Sequence, residues 1–343
     1  MLKKTIRKIC ILLTSIVLLP QLCSCARTKG NVYPLDRAYL RPTQLNTELH
    51  RLAKEHPGLV KLHLLGLSTV EELPVHALEI GTKKAVKDVL IIGQHHGDEV
   101  LGIEVAMAFA KELVNTSDKK IQKILEQYRF WVIPTMNPEG FRIVSSGEYA
   151  LKRKNNRDSN QNGVFELRID GVDLNRNYPV FWENDNVVQP EHAYFKGPSP
   201  ASESEVQAVI ELAQRVRFSI AMFYHSSATG AYSEKIYLPW HDPTDPDMKQ
   251  RYDEVKELAE FYALLVPMDY AKGTYEVHQG YNSKLGNARN YFFHSWDTNA
   301  FLIEIGGIDP SGVSIIHPDA KMLKINIDKH IKALKTFFYD RLE

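Results

Sequence analysis

Cysteine is scarce in this chain, and its distribution excludes several kinds of chemistry. Three cysteines occur in 343 residues, and all of them, Cys10, Cys23 and Cys25, lie near the N-terminus. The sequence that follows therefore has no disulfide, no thiolate metal site and no cysteine nucleophile. Its stability must come from a hydrophobic core.

An excess of charge of one sign is also missing. Lys+Arg and Asp+Glu each number 42, so the formal net charge is zero, which argues against a nucleic-acid partner held by bulk electrostatics. We find neither an internal repeat nor a Ser/Gly-rich linker, and residues 39–343 are therefore predicted to form a single domain. We expect this domain to act as a monomer.

The first residues have the pattern of a targeting segment. Basic residues precede a short apolar stretch, residues 9–20, which ends in Leu22-Cys23-Ser24-Cys25. This ending resembles the lipobox of bacterial lipoproteins. The resemblance implies a signal peptide at residues 1–24, a lipidated Cys25, a tether at residues 25–38, and an exported protein anchored to a membrane at the periplasmic face or the cell surface. Plain secretion with cleavage near Ala26 is the alternative.

Short apolar runs alternate with helical patterns along the rest of the chain. The runs predict strands at residues 60–65, 76–80, 88–93, 130–134, 218–224 and 301–305, of which the first two are expected to pair. The spacing of apolar residues predicts helices at residues 42–56, 99–114, 202–216 and 319–342. This order indicates an α/β fold of three layers, α/β/α, with a mixed, largely parallel central sheet.

Acidic and imidazole side chains lie at the ends of three predicted strands. His96 and Glu99 follow the strand at residues 88–93, His225 follows the strand at 218–224, and Glu304 lies in the strand at 301–305. Ligands bind at the carboxyl ends of strands in such folds, and two imidazoles with a carboxylate form a common catalytic zinc set. A single H-x-x-E is weak evidence, because His95 and Glu99 also suit one face of a helix.

A different pattern, GVDLNRNYP at residues 171–179, places Asn175 beside Arg176. A guanidinium matches a carboxylate in two-point geometry, and a neighbouring amide can hold one of its oxygens. The pair suits an enzyme that grips a free peptide C-terminus. Taken alone, the pair is more typical of a surface turn that carries a solvated arginine.

Taken together, the motifs resemble the zinc carboxypeptidase family, which has the fold of the pancreatic carboxypeptidases. In chain order they are HGDE at 96–99, NPEGF at 137–141, RK at 153–154, GVDLNRNYP, KGPSPASESE at 196–205, YHSS at 224–227 and FLIEIGG at 301–307. The resemblance implies that His96, Glu99 and His225 hold one Zn²⁺ per chain. It also implies that Glu304 is the general base and that Arg153 stabilises the oxyanion.

The same resemblance assigns residues that bind substrate. Asn175 and Arg176 would hold the terminal carboxylate of the peptide. A tyrosine would close over the substrate, and Tyr281 fits that position best, with Tyr275 as the fallback. Because no long segment separates the tether from the domain, we also expect an enzyme that needs no removal of an inhibitory pro-segment.

The chain departs from the family in two places. Asp98 stands between the first two ligands, where digestive members carry an arginine that contacts substrate, so the resemblance does not predict this contact here. In the region 286–290 that lines the side-chain pocket, the chain has Ala288 and Arg289. An inward Arg289 favours a substrate with a second carboxylate, such as a peptidoglycan stem peptide, whereas an outward Arg289 is a solvated charge or an ion-pair partner.

Residues 158–163, Asp-Ser-Asn-Gln-Asn-Gly, have the oxygen-rich spacing of a calcium loop. Ile169 occupies the twelfth position, where an EF-hand carries glutamate, so a complete EF-hand site is excluded. A polar turn is the alternative to a calcium site.

Two other functions compete with a metallopeptidase. An aspartoacylase-like zinc deacylase shares the H-x-x-E, the distant histidine and a D-L-N-R run. A surface lipoprotein that keeps the fold as a binding module without catalysis is the second alternative. A narrow endopeptidase on cell-wall peptides is a further possibility within the peptidase interpretation.

Overall fold

An eight-stranded mixed sheet forms the middle layer of the protein. A computed structural model describes residues 35–342 except residues 116, 228, 280–282, 308 and 312. The strands are β1 (Val60–Leu67), β2 (Pro74–Ile80), β3 (Lys87–Ile92), β4 (Tyr128–Ile133), β5 (Phe218–Ser226), β6 (Lys235–Tyr237), β7 (Glu276–His278) and β8 (Asn299–Ile305). Their order across the sheet is β1-β2-β4-β3-β5-β8-β6-β7.

The central strands of the sheet are parallel, and an antiparallel pairing flanks them on each side. Strands β4, β3, β5 and β8 run parallel to one another, and β1 pairs with β2 in antiparallel register, as predicted. Strand β6 pairs antiparallel with β8 and parallel with β7. The largely parallel sheet predicted from the sequence is therefore confirmed.

Helices cover the sheet, and most connect consecutive strands. They are α1 (Pro42–Glu55), α2 (Leu101–Asn115), α3 (Lys119–Gln127), α4 (Pro138–Ser146), α5 (Ser204–Arg215), α6 (Pro246–Leu265), α7 (Ala288–Trp296) and α8 (Ala320–Tyr339). Among the described residues, no helix combines the length and the apolar content needed to cross a lipid bilayer.

Two neighbouring residues of β5 show that helices lie on both faces of the sheet. The Tyr224 hydroxyl lies 2.9 Å from the hydroxyl of Tyr262 on α6, whereas Phe223 packs against Phe292 on α7. Successive side chains of a strand point to opposite faces. Helices α6 and α7 therefore belong to different layers, which confirms the three-layer α/β/α arrangement.

Candidate metal centre and substrate cavity

The structure brings together the three predicted metal ligands, His96, Glu99 and His225. The Nδ1 atoms of the two histidines lie 3.0 Å apart, and the Glu99 carboxylate lies 2.7 Å from His225 Nδ1 and 2.9 Å from His96 Nδ1. Among the described residues, this is the one group whose donor atoms meet closely enough to share a metal ion, all within 4.8 Å.

The meeting point follows from the order of the strands. His225 lies near the end of β5, and His96 and Glu99 lie in the turn between β3 and α2, because α2 begins at Leu101 and not at Glu99 as predicted. A tight contact fixes this turn, since a Cβ on Gly102 would lie 1.7 Å from the Gly93 carbonyl oxygen. Only glycine allows two backbones to approach so closely.

The NPEGF motif ties the ligand turn to the segment that carries Arg153. Asn137 begins α4 and accepts a hydrogen bond from Gly140 N, while its amide donates to the carbonyl oxygens of His95 and Arg153 at 3.2 and 3.1 Å. Gly97 N also donates to the Arg153 carbonyl at 2.9 Å. One buried amide therefore holds two loops of the site in fixed relation.

The outer ring nitrogen of His96 donates to a carboxylate, which leaves its Nδ1 unprotonated and able to face a cation. His96 Nε2 donates to Asp173 at 3.0 Å, and His225 Nε2 lies 3.4 Å from the Asn175 amide nitrogen. A metal-binding histidine usually donates its outer ring N–H to an acceptor, as His96 does. Two imidazoles and a carboxylate, all buried, therefore fit Zn²⁺ and leave a coordination position for a further group.

The electrostatics of these groups are dominated by burial and by one another. Burial lowers the pKa of His96, but the carboxylates of Glu99 and Asp173 outweigh burial and raise it to about 8. Burial lowers the pKa of His225 to about 4. Burial opposes ionisation of Glu99, but the two histidines hold its pKa below the usual range. The cluster thus contains a stable negative charge.

Glu304 lies beside the cluster, because it pairs directly with His225 across β5 and β8. Its Oε2 atom is buried and has no hydrogen-bond partner among the described residues. Burial, with the nearby negative charge of Glu99, raises the pKa of Glu304 well above its usual range. A carboxyl group in this position can hold and release a proton near neutral pH.

Arg153 is fixed by two acids of the site. Its guanidinium donates to Glu99 at 3.2 Å through Nη1 and to Asp173 at 2.8 Å through Nη2. Burial lowers the pKa of the guanidinium, but these two carboxylates outweigh burial and raise it. Arg153 therefore stays charged beside the point where the metal ligands meet.

A cavity of about 400 Å³ opens over the cluster. The predicted site residues that line it are His96, Glu99, Arg153, Asn175, Arg176, His225, Arg289 and Glu304. Asn175 Oδ1 accepts a hydrogen bond from Ala288 N at 3.0 Å, which directs its amide nitrogen towards the site. Arg176 donates to the Asn175 carbonyl at 2.8 Å, and its Nε lies 3.9 Å from Asp185.

The region that carries Arg289 begins a helix that the sequence analysis did not assign. Asn287 caps the start of α7, and Ala288 and Arg289 form its first turn. Arg289 is buried and lines the cavity, so the alternative of an outward solvated charge is wrong. Tyr281 lies outside the described residues. The fallback, Tyr275, is buried with its hydroxyl 3.4 Å from His330 and does not line the cavity.

Two residues of the site carried no role in the sequence analysis. Asp173, inside GVDLNRNYP, is fully buried and contacts both His96 and Arg153. Tyr194 places its ring 4.8 Å from the Arg153 guanidinium and 5.4 Å from that of Arg176. A signal for Asp173 existed, because an acid between apolar residues must have buried partners. Tyr194 lies in an irregular segment and gave no such signal.

Two polar residues near the ligands take no part in the metal group. His95 stacks on His225 with ring centroids 5.3 Å apart, and its Nε2 lies 3.2 Å from the Tyr178 hydroxyl. Asp98 is buried, and it does not line the cavity. Asp98 is therefore not placed to contact a substrate in this cavity.

The calcium-like segment closes on itself through hydrogen bonds. Asp158 accepts from the backbone of Asn162 and Gly163 at 3.2 and 2.8 Å, and the amides of Asn160 and Asn162 donate to Glu166 at 2.7 and 2.8 Å. These contacts describe the polar turn that was the alternative interpretation. No observation on the described residues supports calcium.

Comparisons with known proteins agree with this geometry. The model of the family described as zinc carboxypeptidase matches residues 45–324. Mast cell carboxypeptidase A of Mus musculus is 30% identical over 196 residues, which cover 55% of this chain and 44% of that protein. Carboxypeptidase N catalytic chain of Rattus norvegicus is 26% identical over 273 residues, covering 73% of this chain and 55% of that protein. The chain thus spans about half the length of these relatives.

Solved structures share the fold. Carboxypeptidase A from Helicoverpa armigera superposes with a TM-score of 0.73 at 17% identity, covering 88% of this chain and 74% of that chain. Metallo-carboxypeptidase from Burkholderia cenocepacia superposes with a TM-score of 0.60 at 16% identity, covering 87% and 69%.

Proposed function

This chain belongs to the zinc carboxypeptidase family, and on that premise we propose that it is a zinc-dependent metallopeptidase that hydrolyses the peptide bond next to a free C-terminus. The observation that carries the proposal is the convergence of His96, Glu99 and His225 on one point. The carboxyl group of Glu304 lies on the same cavity, and its Oε2 atom is buried without a hydrogen-bond partner among the described residues.

The proposed roles follow from the chemistry of each side chain. Zinc, when bound by His96, Glu99 and His225, supplies Lewis acidity that activates water and polarises a carbonyl group. Glu304 accepts the proton of the attacking water and later donates it to the leaving amine nitrogen. Arg153 stabilises the negative charge that develops on the carbonyl oxygen, a contribution commonly worth several kcal/mol.

Asn175 and Arg176 hold the terminal carboxylate of the substrate in this proposal. The Asn175 oxygen is already used by Ala288 N, so its amide N–H groups are the donors available to an anion. Arg176 lines the same cavity and supplies the guanidinium. A peptide without a free C-terminus lacks the carboxylate that these donors require.

The proposal is tested with a library of peptides that differ in their C-terminal residue, incubated with zinc-loaded protein and followed by mass spectrometry. We expect loss of single C-terminal residues from wild type and at least about a 10²-fold slower reaction with Glu304→Gln. Release of longer fragments would indicate a narrow endopeptidase. Hydrolysis of N-acyl amino acids without hydrolysis of peptides would favour the deacylase, and zinc binding without any turnover would favour the silent binding protein.

We extend the proposal to the setting of the enzyme. The lipobox-like segment that ends in Cys25 supports an exported, membrane-anchored lipoprotein, and peptidoglycan stem peptides are peptide substrates that such a protein meets. Mass spectrometry of muropeptides after incubation with wild type and with Glu304→Gln tests this substrate class. Muropeptides that stay intact while library peptides are cleaved would direct the search to other exported peptides.

A further inference from the structure

Arg289 is a buried cation on the wall of the substrate cavity. The residue is 8% exposed, and its Nε donates to the Leu238 carbonyl at 2.8 Å. Among the described residues, no carboxylate forms an ion pair with its guanidinium, and no hydrogen bond of its two terminal nitrogens is seen. A buried charge without a charged partner is unfavourable, because its lost hydration is not replaced.

The other arginines of the cavity differ from Arg289 in this respect. Arg153 binds Glu99 and Asp173, and Arg176 lies 3.9 Å from Asp185. Burial, and then the charge of Arg176, lower the pKa of Arg289 to about 10, and the charge of Glu304 opposes this shift without forming an ion pair. Arg176 and Arg289 therefore offer two positive groups to a ligand in this cavity that carries two negative charges.

The backbone around Arg289 is held firmly and also favours an anion. Arg289 lies in the first turn of α7, where backbone N–H groups give a helix its positive end. Gly286 packs against Arg176, since a Cβ there would lie 2.7 Å from the Arg176 carbonyl oxygen. The start of α7 is therefore fixed next to the residue proposed to hold the terminal carboxylate.

We propose that the C-terminal residue removed by this enzyme carries a second carboxylate on its side chain, and that Arg289 binds it. The substrate class is a peptide that ends in aspartate, glutamate or a related amino dicarboxylic acid. The inference rests on the proposed function, because it assigns a partner to the side chain of the residue whose terminal carboxylate Arg176 holds. Arg289 is thus a specificity-determining residue.

A different role for Arg289 makes a different prediction. Arg289 and Glu304 influence each other electrostatically, so Arg289 could act by tuning the general base. Such a role would change the rate for every substrate by the same factor. A binding role changes the rate according to the charge of the C-terminal side chain.

The test compares two N-acyl dipeptides that differ only in C-terminal glutamate or glutamine, which have nearly the same shape. We expect zinc-loaded wild type to prefer glutamate by at least about 10-fold in kcat/KM, the size of one charged hydrogen bond. The ratio should fall to about 1 in Arg289→Gln and take an intermediate value in Arg289→Lys, which keeps the charge. A wild-type ratio near 1, or an unchanged ratio in Arg289→Gln, would overturn the inference.

Arg251→Gln is the matched control, because Arg251 contacts the far part of α7 through Asp297 at 2.8 Å and does not line the cavity. It should keep the wild-type ratio. Zinc content and melting temperature show whether each variant folds. If Arg289→Gln does not fold, the glutamate-to-glutamine ratios of wild type and of Arg289→Lys test the inference.

A binding measurement separates failure of this inference from failure of the proposed function. The same two dipeptides are titrated calorimetrically into zinc-loaded Glu304→Gln. Tighter binding of the glutamate peptide by at least about 10-fold supports Arg289 as its partner even if no peptide is hydrolysed. Equal binding, or binding of neither peptide, overturns the inference whether or not wild type is a peptidase.

Discussion

The Asp173 carboxylate accepts a hydrogen bond from His96 Nε2 at 3.0 Å. The same carboxylate binds Arg153 through Nε and Nη2 at 3.0 and 2.8 Å. Its negative charge raises the pKa of His96 and helps to keep Arg153 charged. One acid therefore orients a metal ligand and the arginine proposed to stabilise the oxyanion.

Asp173→Asn keeps the shape of this residue but removes its charge. We expect zinc affinity to fall by about 10- to 100-fold, because the outer partner of a metal-binding histidine sets its orientation and basicity. Competition with a chromogenic chelator measures the change. Asp185→Asn is the matched control, since Asp185 lies near Arg176 and touches no metal ligand, and equal losses in both variants would contradict the role of Asp173.

Tyr194 supports two guanidiniums with one ring. Its contacts with Arg153 and Arg176 are each worth about 0.5–1 kcal/mol at a partly exposed position. We expect Tyr194→Leu to lower kcat/KM on a C-terminal substrate by about 5- to 20-fold, whereas Tyr194→Phe, which keeps the ring, stays within about twofold. Steady-state kinetics of both variants measure the effect, and equal losses would assign it to the hydroxyl.

Glu104 gives the fold a dependence on pH that is separate from the active site. Burial raises its pKa from the ordinary 4.5 to about 7, although Leu40 N donates to it at 2.6 Å. The folded state therefore binds the proton more tightly than the unfolded state, and this contribution is present below pH 4.5 and lost as the pH rises through about 7.

Glu104→Gln removes that loss of stability while keeping an acceptor for Leu40 N. The difference in free energy of unfolding, variant minus wild type, should increase by about 2–3 kcal/mol as the pH rises from 4.5 to 8. Between the two pKa values the slope approaches about 1.4 kcal/mol per pH unit. Urea denaturation at a series of pH values measures it. Glu48→Gln should show the opposite trend, because hydrogen bonds from Arg51 lower the pKa of Glu48.

The lipid anchor predicted at Cys25 lies outside the described residues and is tested in cells. Wild type should incorporate labelled palmitate and partition into the detergent phase, and Cys25→Ser should do neither. Cys23→Ser is the control and should behave as wild type, because it leaves the lipidated position intact. Incorporation of label by Cys25→Ser would favour another modification site, and an unlabelled wild type would favour plain secretion.

The strands that contain a continuous apolar run could be predicted from the sequence. Strands β3, β5 and β8 each contain an apolar run of at least four residues. Side chains near their carboxyl ends, among them His225 and Glu304, meet at one edge of the sheet. Strands β6 and β7 contain three residues each, which is too short for an apolar pattern. Their position depends on pairing with β8.

Helix α7 shows why the substrate cavity was harder to predict than the metal site. Its residues 288–296 include Tyr291, Phe292, Phe293 and Trp296, and aromatic residues favour strands as readily as buried helices. The side chain of Asn287, which accepts from Asn290 N, is the one local signal that a helix begins. The inward direction of Arg289 is a property of that helix and became visible only in the structure.

The metal donors come from chain positions far apart, since His225 lies 126 residues beyond Glu99. Among the described residues, neither half of the sheet holds all three donors, so we expect a partly folded chain to bind zinc more weakly than the folded domain. Zinc should therefore bind mainly to folded molecules. The zinc-to-protein ratio of a preparation then measures the fraction of the protein that is in the native state.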